Sequence, residues 1–594
     1  MDPRSSSNRR FGEFADRTMT ESCDTGRRAW SFRVFLTCWL VYCAFWTPYI
    51  VREHFPALAV AEGGSLNVER YLGWTEDIFP GPKGGAFINN NPGASLTAAL
   101  PLVLLRPLLT RVDAWNRTLP RPARRPDDGE VFGRTLDEGR AFYFLLIGFL
   151  TVALVMAPIT AATAAFLCSR LIEAGVPHVA AAQTALLCWL GTPILFRTAH
   201  LNHNLLVCDA GFAALLLLWG HKGHAPRRAA PENGDAARPR TGSAPTRTPG
   251  SLRATVAGLL AGYTVLCDYS GVVVVGVIGL YVLLLSANLP GRERTRIAAC
   301  YTAGVIPGVL CLALYQTWAF GSFYHPSQHY MTPTAPTSHG YRGIDWPSPA
   351  LAWANFFDPR FGLFAYCPAL LLAFLVPFQE HRARRRAAEA HPVTSTPTAG
   401  TTRIPQERTG LDARRQTTRE QPSGDVHPTD GASAQPYRLP SPEMWLLFVY
   451  FGLFVLFCAA NQYSWLQPLT GFRYLVPVVP GLALLAVQAV QGLPSLVRQI
   501  IAVVTLAQSL LMAASHENDN RLASAIWHRH FELVWMLRAA RAGAPVTLWW
   551  TPAIFLALAL ALALIWFAPT QRWRGFGQAK LATECEDSPA GPVD

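Results

Sequence analysis

Long apolar runs recur along almost the whole of the 594-residue chain, separated by polar stretches of very different lengths. A helix needs roughly 20 apolar residues to cross about 30 Å of hydrocarbon, and many of these runs approach that length. Hydrophobic residues make up 51% of the chain and charged residues only 15%, which excludes an ordinary soluble protein. The pattern predicts an all-α polytopic membrane protein with about 12–14 transmembrane helices and a long first extracytoplasmic loop.

The net charge of +12 comes almost entirely from arginine. The arginines cluster beside the ends of the apolar runs and in low-complexity loops, which is typical of the cytoplasmic segments of a membrane protein. The charge therefore predicts a topology with both termini cytoplasmic, and it does not indicate a nucleic-acid partner. The first apolar run, Phe32 to Val51, is long enough to remain as an anchor, so no cleavable signal peptide is expected.

The composition shifts along the chain predict seven segments. Two of them are basic and rich in Pro, Ser and Thr, which is typical of disordered cytoplasmic inserts. The segments are a cytoplasmic tail (1–30), an N-terminal transmembrane half (31–220) with external loop 52–93, an insert (221–253), a transmembrane part (254–377) with external loop 317–360, a second insert (378–442), C-terminal transmembrane helices (443–568) and a cytoplasmic tail (569–594).

The predicted topology contains one conflict. Residues 94–110 are predicted as the second span, which would lead to a basic cytoplasmic loop reaching residue 140. Residues 141–168 and 178–196 are two further apolar runs, but the signs of charge on either side require an odd number of crossings. Either the first of these runs folds back near Pro158, or one of the two does not fully span.

An acidic pair, Glu76-Asp77, lies midway along the first external loop, between an amphipathic piece and a Gly/Asn/Pro turn. A loop of this length in a polytopic protein is usually functional. A carboxylate at the border of water and membrane is suited to act as a general base, and we predict Asp77 in that role with Glu76 as the alternative. The simpler interpretation is that the pair only solvates the loop or caps a short helix after Thr75.

Further candidates lie where other external loops meet the apolar runs. His200 and His203, in RTAHLNHNLL (197–206), are predicted to line a pocket; their spacing also fits a metal ligand pair or merely a wet helix end. Arg473 and Arg360 are predicted at the membrane border, where an external loop enters an apolar run. They are candidate phosphate ligands, because a charge at that depth in the membrane is costly unless it faces a cavity or a partner. Alternatively, they extend to lipid headgroups.

Three more residues are predicted to contact a substrate. Lys83 lies in the first external loop, although its Gly/Pro surroundings fit an exposed turn equally well. Asp268 interrupts an apolar run at a predicted external hairpin, where it lines a pocket or forms the turn. Tyr330 represents the second external loop, whose His, Tyr and Trp residues suit either sugar faces or an interfacial aromatic belt. Asp209, one turn inside a span, is predicted to make a structural hydrogen bond.

Four segments together resemble the GT-C superfamily of glycosyltransferases, and most closely a bacterial branch related to protein O-mannosyltransferases and lipid A aminoarabinose transferases. They are GGSLNVERYLGWTEDIFPGPKGGAFINNNPGASLTAALP (63–101), LCDYSGVVVV (266–275), WANFFDPRFGLFAYCPALLL (353–372) and TGFRYLVPVVPGLALL (470–485). The first segment departs from the branch at Ala86-Phe87, where tyrosines are usual, and at Asn90, where lysine is usual. His200, Asn202 and His203 also stand where better-known members carry a second acid.

The resemblance implies a GT-C-like fold in a bacterial inner membrane. It also implies an inverting transfer of a sugar from a polyprenyl-phosphate donor to a glycan, lipid or protein acceptor on the external face. No cofactor is implied beyond this lipid-linked donor, and a divalent metal is possible but not indicated. The alternatives are a lipid-linked-sugar flippase or other transporter without transferase activity, and a polymerase or ligase of polysaccharide chains.

Overall fold

The computed structural model describes residues 25–219, 250–331, 333–390, 439–465, 473–514, 533–546 and 549–568. This part of the chain is mostly helical, as the hydropathy pattern predicts, and its one sheet has two strands. Six helices of the described part are long and apolar enough to cross a membrane. They are Ala141–Glu173, Gly291–Phe320, Ser441–Ala460, Arg473–Val490, Ser495–Ala514 and Trp550–Phe567.

We number the helices in chain order. The first half contains α1 (25–44), α2 (His54–Gly63), α3 (Gly93–Leu104), α4 (Arg106–Asn116), α5 (Glu130–Asp137), α6 (Ala141–Glu173), α7 (His178–Leu190), α8 (Ile194–Thr198) and α9 (His203–Leu218). The second half contains α10 (Ser251–Cys267), α11 (Gly271–Ser286), α12 (Gly291–Phe320), α13 (Pro349–Phe357), α14 (Leu363–Tyr366), α15 (Val376–Ala390), α16 (Ser441–Ala460), α17 (Arg473–Val490), α18 (Ser495–Ala514), α19 (Val534–Arg541) and α20 (Trp550–Phe567).

Helices α10 and α12 approach each other through glycines spaced four residues apart. A Cβ atom added to Gly258 would lie 2.1 Å from the carbonyl oxygen of Tyr301, and one added to Gly308 would lie 2.2 Å from that of Gly262. Small residues at this spacing let the backbones of membrane helices pack closely, where larger side chains would force them apart. This packing fixes the end of α10, and with it the loop that carries Asp268.

The first loop is an ordered structure rather than a tether. Its two strands, β1 (Ile78–Pro80) and β2 (Ala86–Ile88), form an antiparallel hairpin in which Ile78 is paired with Ile88. The loop then packs against the end of α10, where the Asn91 side chain donates to the carbonyl of Val265 at 2.9 Å. A Cβ atom on Gly93 would lie 2.7 Å from the backbone of Leu266, so only glycine permits this approach.

Residues 94–110 do not form the single straight span that the sequence predicts; by length and composition they are part of a broken span or a re-entrant segment. These residues lie in α3 and α4, which are bent by 82° relative to each other. Beyond α4, Arg140 contacts the first loop directly, with its Nη2 atom 3.4 Å from Oε1 of Glu62 and its Nε atom 2.7 Å from Oδ1 of Asp113. Two segments separated by about 30 Å of hydrocarbon could not make such contacts, so residues 111–140 lie on the same side as the first loop.

A second contact gives the same result. Arg541 binds Asp128 through two hydrogen bonds of 2.9 and 2.7 Å, and Asp128 is buried. Alternation of the predicted spans, counted back from a cytoplasmic C-terminus, places residues 515–546 outside, whereas the basic charge places residues 111–140 inside. The ion pair between Arg541 and Asp128 excludes opposite sides for the two segments. Basic charge alone misplaced the 111–140 loop, because its arginines are used for contacts within the protein, as Arg140 and Arg134 show.

This correction removes the conflict over residues 141–199. The run does not fold back near Pro158; α6 continues through that residue as one helix of 33 residues, with a short π-helical stretch at Val152–Met156. The next apolar run is divided into α7 and α8 near Gly191. With residues 111–140 on the first-loop side, α6 crosses once and the α7–α8 run returns, so the number of crossings no longer needs to be odd.

Other predicted boundaries changed less. The predicted span at 361–377 is a succession of α14, a 3-10 helix (Pro368–Leu375) and the start of α15. Residues 378–390 belong to α15, although the sequence assigned them to the second insert. The remainder of that insert up to residue 438, residues 221–249 of the first insert, residues 1–24 and residues 569–594 lie outside the described residues. The total of about 12–14 spans stays a prediction.

Candidate functional site

The two ends of the first-loop hairpin bring a carboxylate and an amide together. Asp77 directly precedes β1 and Asn89 directly follows β2, so the pairing of Ile78 with Ile88 places them opposite each other. The Asn89 side chain donates to Oδ1 of Asp77 at 2.9 Å, and Nη1 of Arg52 donates to the same oxygen at 2.7 Å. Arg52 also donates to Oδ1 of Asn89 at 2.8 Å, which closes a triangle of polar groups.

The Asp77 carboxylate retains one unused oxygen. Both hydrogen bonds from Arg52 and Asn89 end on Oδ1, and Oδ2 has no hydrogen-bond or ion-pair partner within the described part of the chain. The Asp77 side chain is 36% exposed, whereas that of Arg52 is 17% exposed. An oriented carboxylate with a free oxygen can accept a proton from a bound molecule. Glu76, the alternative base, is exposed, and its carboxylate makes no hydrogen bond or ion pair with the described residues.

Beside this triangle, a histidine lies between two further carboxylates. Nδ1 of His203, at the start of α9, is 2.7 Å from Oε1 of Glu53, and its Nε2 is 3.5 Å from Oδ2 of Asp268. Asn90 donates to the same Glu53 oxygen. Burial raises the pKa of Glu53, but His203 and Arg52 together lower it by more than burial raises it. The net pKa is therefore well below its usual range. Glu53 is therefore the charged group that holds the imidazole in place.

These groups border a cavity of about 510 Å³. Its walls come from the first loop, the start of α9, the α10–α11 turn, the second external loop and the start of α17. The polar lining includes Arg52, Asn89, Asn90, His203, Asp268, Tyr269, Gln316, Gln328, Arg342, Asn461, Tyr463, Arg473 and Tyr474. Asp77 itself is not in the lining and lies behind Arg52 and Asn89, one hydrogen bond away. Asp268 is thus the carboxylate that faces the cavity directly.

Groups of both signs line the cavity. His203 and Asp268 lie 3.5 Å apart, and Arg52, Arg342 and Arg473 are the arginines in the lining. Arg473 donates to the hydroxyl of Tyr474 at 2.9 Å, with its guanidinium 4.7 Å from the centre of that ring. Arginine beside a polar cavity is suited to phosphate, since its planar group donates several hydrogen bonds at once.

Tyr463 lies close to both parts of the site. Burial raises its pKa to about 12, and the charges of Arg52, Asp77 and Arg342 all act on it. Arg52, Asn89, Arg342 and Tyr463 all line the same cavity, so the Asp77 triangle and the later external loops meet there. The tyrosine hydroxyl is therefore a neutral donor within the cavity at physiological pH.

Several predicted site residues lie away from the cavity lining. Arg360 is exposed and pairs with Asp358 at 2.8 Å. Lys83 is exposed and donates to the carbonyl of Thr317 at 3.2 Å, which fixes the hairpin turn to α12. Tyr330 stacks on Phe320 with ring centres 5.2 Å apart. The structure gives these residues contacts that hold loops together.

His200 is deeply buried behind His203. Burial and, to a smaller extent, the charge of Arg197 lower its pKa to about 3, so this imidazole is neutral. The two histidines of the HxxH spacing therefore have different surroundings, one neutral and enclosed and one facing the cavity. Within the described ranges, no group of three or more His, Cys, Asp or Glu side chains could hold a metal ion.

Sequence patterns do not identify four residues of the site: Arg52, Glu53, Asn89 and Tyr463. The first two follow the first apolar run directly, and charged residues at the end of a span normally indicate only the membrane border. Asn89 lies in a run of three asparagines, which usually indicates a turn. One signal was available: an Arg-Glu pair at the start of the same loop as a candidate catalytic acid. Comparison with protein-family models, curated proteins and solved structures finds no match for the chain.

Proposed function

We propose that the protein is an integral membrane glycosyltransferase of the GT-C kind. It would move a sugar from a polyprenyl-phosphate donor to an acceptor on the first-loop side of the membrane. The observation that carries the proposal is the cavity, where three distant parts of the chain meet: the acid-bearing first loop, the histidine that its Glu53 holds, and the arginine at the start of α17. These are the residue types that the transfer needs.

The reaction can be written for these groups. The acceptor oxygen attacks the anomeric carbon from the face opposite the leaving group. Its proton would pass to Oδ2 of Asp77, whose side chain is 36% exposed and lies beside the cavity rather than in its lining. The bond between the anomeric carbon and the phosphate oxygen breaks, and polyprenyl phosphate leaves with the electron pair. Arg473 would bind that phosphate as its charge develops, and Tyr474 orients the guanidinium. Inversion at the sugar carbon follows from this single displacement.

Arg52 serves the same step by orientation. Its two hydrogen bonds, to Asp77 and Asn89, hold the base in one position and engage only Oδ1 of the carboxylate. Burial tends to lower the pKa of Arg52, but Asp77 and Glu53 raise it, and the net pKa lies above its usual range. Arg52 therefore stays charged and holds the Asp77 carboxylate through a charge-assisted hydrogen bond.

The test is transfer of radiolabelled sugar from polyprenyl-phosphate donors in membranes containing wild-type protein, Asp77→Asn, Asp268→Asn or Glu76→Gln. Loss of a general base reduces transfer about 10²- to 10⁴-fold, which is expected for Asp77→Asn. Glu76→Gln is the matched control and should keep full activity, because this exposed neighbouring acid has no hydrogen bond or ion pair to the described residues. Full activity in Asp77→Asn with loss in Asp268→Asn would move the base to Asp268. Absence of transfer from every donor would reject the proposal.

One observation favours the flippase alternative. Asp209 is buried within α9, where its Oδ2 accepts a hydrogen bond of 2.7 Å from Thr160 of α6. An acid inside a span is costly and often belongs to a transport or proton pathway. Asp209→Asn should leave both transfer and lipid flipping in proteoliposomes unchanged if the residue is structural. Loss of flipping without any transferase activity would support the transporter.

A further inference from the structure

An unusual turn lies at the mouth of the cavity. Residues 341–344 form a two-residue hairpin, in which the Tyr341 amide donates to the carbonyl of Ile344 at 2.8 Å and the Ile344 amide donates back at 3.1 Å. Both central residues have positive φ, 54° at Arg342 and 91° at Gly343, as in a type I′ turn. Arg342 is the one residue other than glycine in the described ranges with positive φ, a conformation that is unfavourable for arginine.

The surrounding structure holds this turn in place. The amide of Gln462 donates to the carbonyl of Gly343 at 2.8 Å, and that of Asp345 donates to Ala460 at 2.9 Å. Ile344 also forms a β-bridge with Asn461, directly after α16. An unfavourable backbone conformation persists when its neighbours fix it, and such positions cluster at binding sites. The turn therefore presents the Arg342 side chain in a defined position.

The side chains around the turn form a surface with two kinds of group. The Arg342 guanidinium lines the cavity and makes no hydrogen bond or ion pair with any residue of the described ranges. Three aromatic side chains that also line the cavity are largely exposed: Phe323 by 64%, Tyr324 by 67% and Tyr341 by 59%. Exposed aromatic groups contiguous with a cavity indicate a binding surface.

We propose that Arg342 and these aromatic side chains form an acceptor subsite for an anionic saccharide. A carboxylate or phosphate on the sugar would accept hydrogen bonds from the guanidinium. The apolar faces of the sugar rings would pack on Tyr324 and Tyr341, whose hydroxyls can still reach water. A wholly apolar partner would bury the guanidinium without a hydrogen-bond acceptor, which is unfavourable. The role of the bound saccharide as the acceptor rests on the proposed transferase function, whereas its binding to this surface does not.

The test is direct binding of soluble oligosaccharides to the full chain in nanodiscs of uncharged lipid, measured by calorimetry. The probes are a hexamer of galacturonic acid and an uncharged glucose hexamer. Arg342→Asn removes the guanidinium, and asparagine tolerates positive φ, so the turn should keep its shape. We expect the acidic hexamer to bind about tenfold or more weakly to this variant, and the neutral hexamer to bind both proteins equally.

Arg360→Asn is the matched control, because Arg360 lies in the same external loop, pairs with Asp358 and does not line the cavity. It should bind the acidic hexamer as the wild type does. Arg342→Gly supplies a second variant, since glycine relieves the backbone strain and lost binding could not then be ascribed to unfolding. A melting temperature no lower than that of the wild type would verify this point.

Three results would overturn the subsite: no binding of the acidic hexamer to the wild type, equal binding to Arg342→Asn, or an equal loss in Arg360→Asn. A dependence on Arg342 that is seen only as retention of anionic phospholipid would overturn the saccharide assignment as well. The transferase proposal is tested separately. Binding that depends on Arg342, without transfer from any donor, would reject the transferase and retain the subsite.

Discussion

Two clusters of charged residues involve the first loop, and they differ in how completely their carboxylates are used. In the Glu62 cluster (Glu62, Arg70, Tyr71, Asp113, Arg117, Arg140 and Tyr143), all four carboxylate oxygens have partners within the cluster. In the cavity cluster (Arg52, Glu53, Asp77, Asn89, Asn90, His203 and Asp268), Oδ2 of Asp77 has no partner among the described residues, and five members other than Asp77 line the cavity.

This difference indicates a structural role for the Glu62 cluster and a capacity to bind a ligand in the cavity cluster. Arg140 is 2% exposed, and its guanidinium also lies 4.5 Å from the centre of the Tyr143 ring. A buried arginine with two carboxylates and an aromatic face is held in one place and joins α2, α4 and α6. A carboxylate that is oriented but incompletely bonded has capacity for a ligand. Saturation of hydrogen bonds, rather than the presence of charge, thus distinguishes the two clusters.

The largest effect expected concerns the side of the membrane on which the Glu62 cluster lies. In a protein without native cysteines, Lys83→Cys, Thr118→Cys and Arg294→Cys are treated with a membrane-impermeant maleimide. All three positions are exposed. Residues 294 and 317 are about 35 Å apart along α12, and Lys83 contacts Thr317. The maleimide should therefore reach positions 83 and 118 from one side of the membrane and position 294 from the other. If position 118 were instead labelled from the same side as position 294, residues 111–140 and the first loop would lie on opposite sides.

The next effect is on stability. Arg140→Ala leaves Glu62 and Asp113 without their shared cation, and loss of one partner in a buried ion pair costs about 3–5 kcal/mol. Both carboxylates remain partly exposed, so the lower end of that range is expected, measured as unfolding in detergent micelles. Arg134→Ala removes an exposed arginine of the same loop, whose one hydrogen bond, to the Gly73 carbonyl, is 3.4 Å long. It should cost about 0.5 kcal/mol or less, and similar losses in the two variants would argue against a structural role specific to Arg140.

In the cavity cluster, the expected effect is on activity. The side-chain nitrogen of asparagine can replace Nδ1 of histidine, so His203→Asn keeps a donor toward Glu53 and removes the Nε2 atom that faces Asp268. Transfer should fall about 10- to 100-fold, in the lower range of acid–base and orienting effects. The melting temperature should change by about 2 °C or less, because the contact with Glu53 is kept. A large fall in melting temperature with normal transfer would place His203 with the structural residues.

The smallest effect is a dependence of stability on pH. His54 is buried, its Nδ1 accepts from the Val51 amide at 3.1 Å and its Nε2 lies 3.1 Å from the Thr151 hydroxyl. Burial lowers its pKa to about 4. The unfolded chain takes up a proton on this histidine near pH 6.5, whereas the folded protein does so only near pH 4. The contribution of His54 to the free energy of unfolding is therefore fully present above about pH 6.5 and is lost as the pH falls toward 4.

His200 acts in the same pH window, so His54→Gln should remove about half of the fall in melting temperature between pH 6.5 and 5. Glutamine can still donate to Thr151, which limits other losses. The control is His339→Gln, at an exposed position of the second external loop. The pH profile of His339→Gln should match that of the wild type. An unchanged profile in His54→Gln would show that His54 takes up its proton over the same pH range in the folded protein as in the unfolded chain.

Sequence patterns predicted most of the helices and part of the site. The six long apolar helices agree with the runs seen in the sequence, because the length of an apolar run and the thickness of the hydrocarbon are set by the same physical requirement. Polar residues placed where loops meet these runs identified His203, Asp268 and Arg473, which all line the cavity. Arg360, Lys83 and Tyr330 have the same local character but are used in other contacts.

What only the tertiary structure decided was which polar groups meet. Local sequence placed Asp77 in the right loop, but its pairing with Arg52 depends on a hairpin that joins residues 25 positions apart. Likewise, the charge of residues 111–140 predicted the cytoplasmic side, because sequence rules count arginines and cannot see that Arg140 and Arg541 are paired with carboxylates. Hydrophobicity acts residue by residue and can be read along the chain; ion pairs depend on distance in space, which only the folded structure specifies.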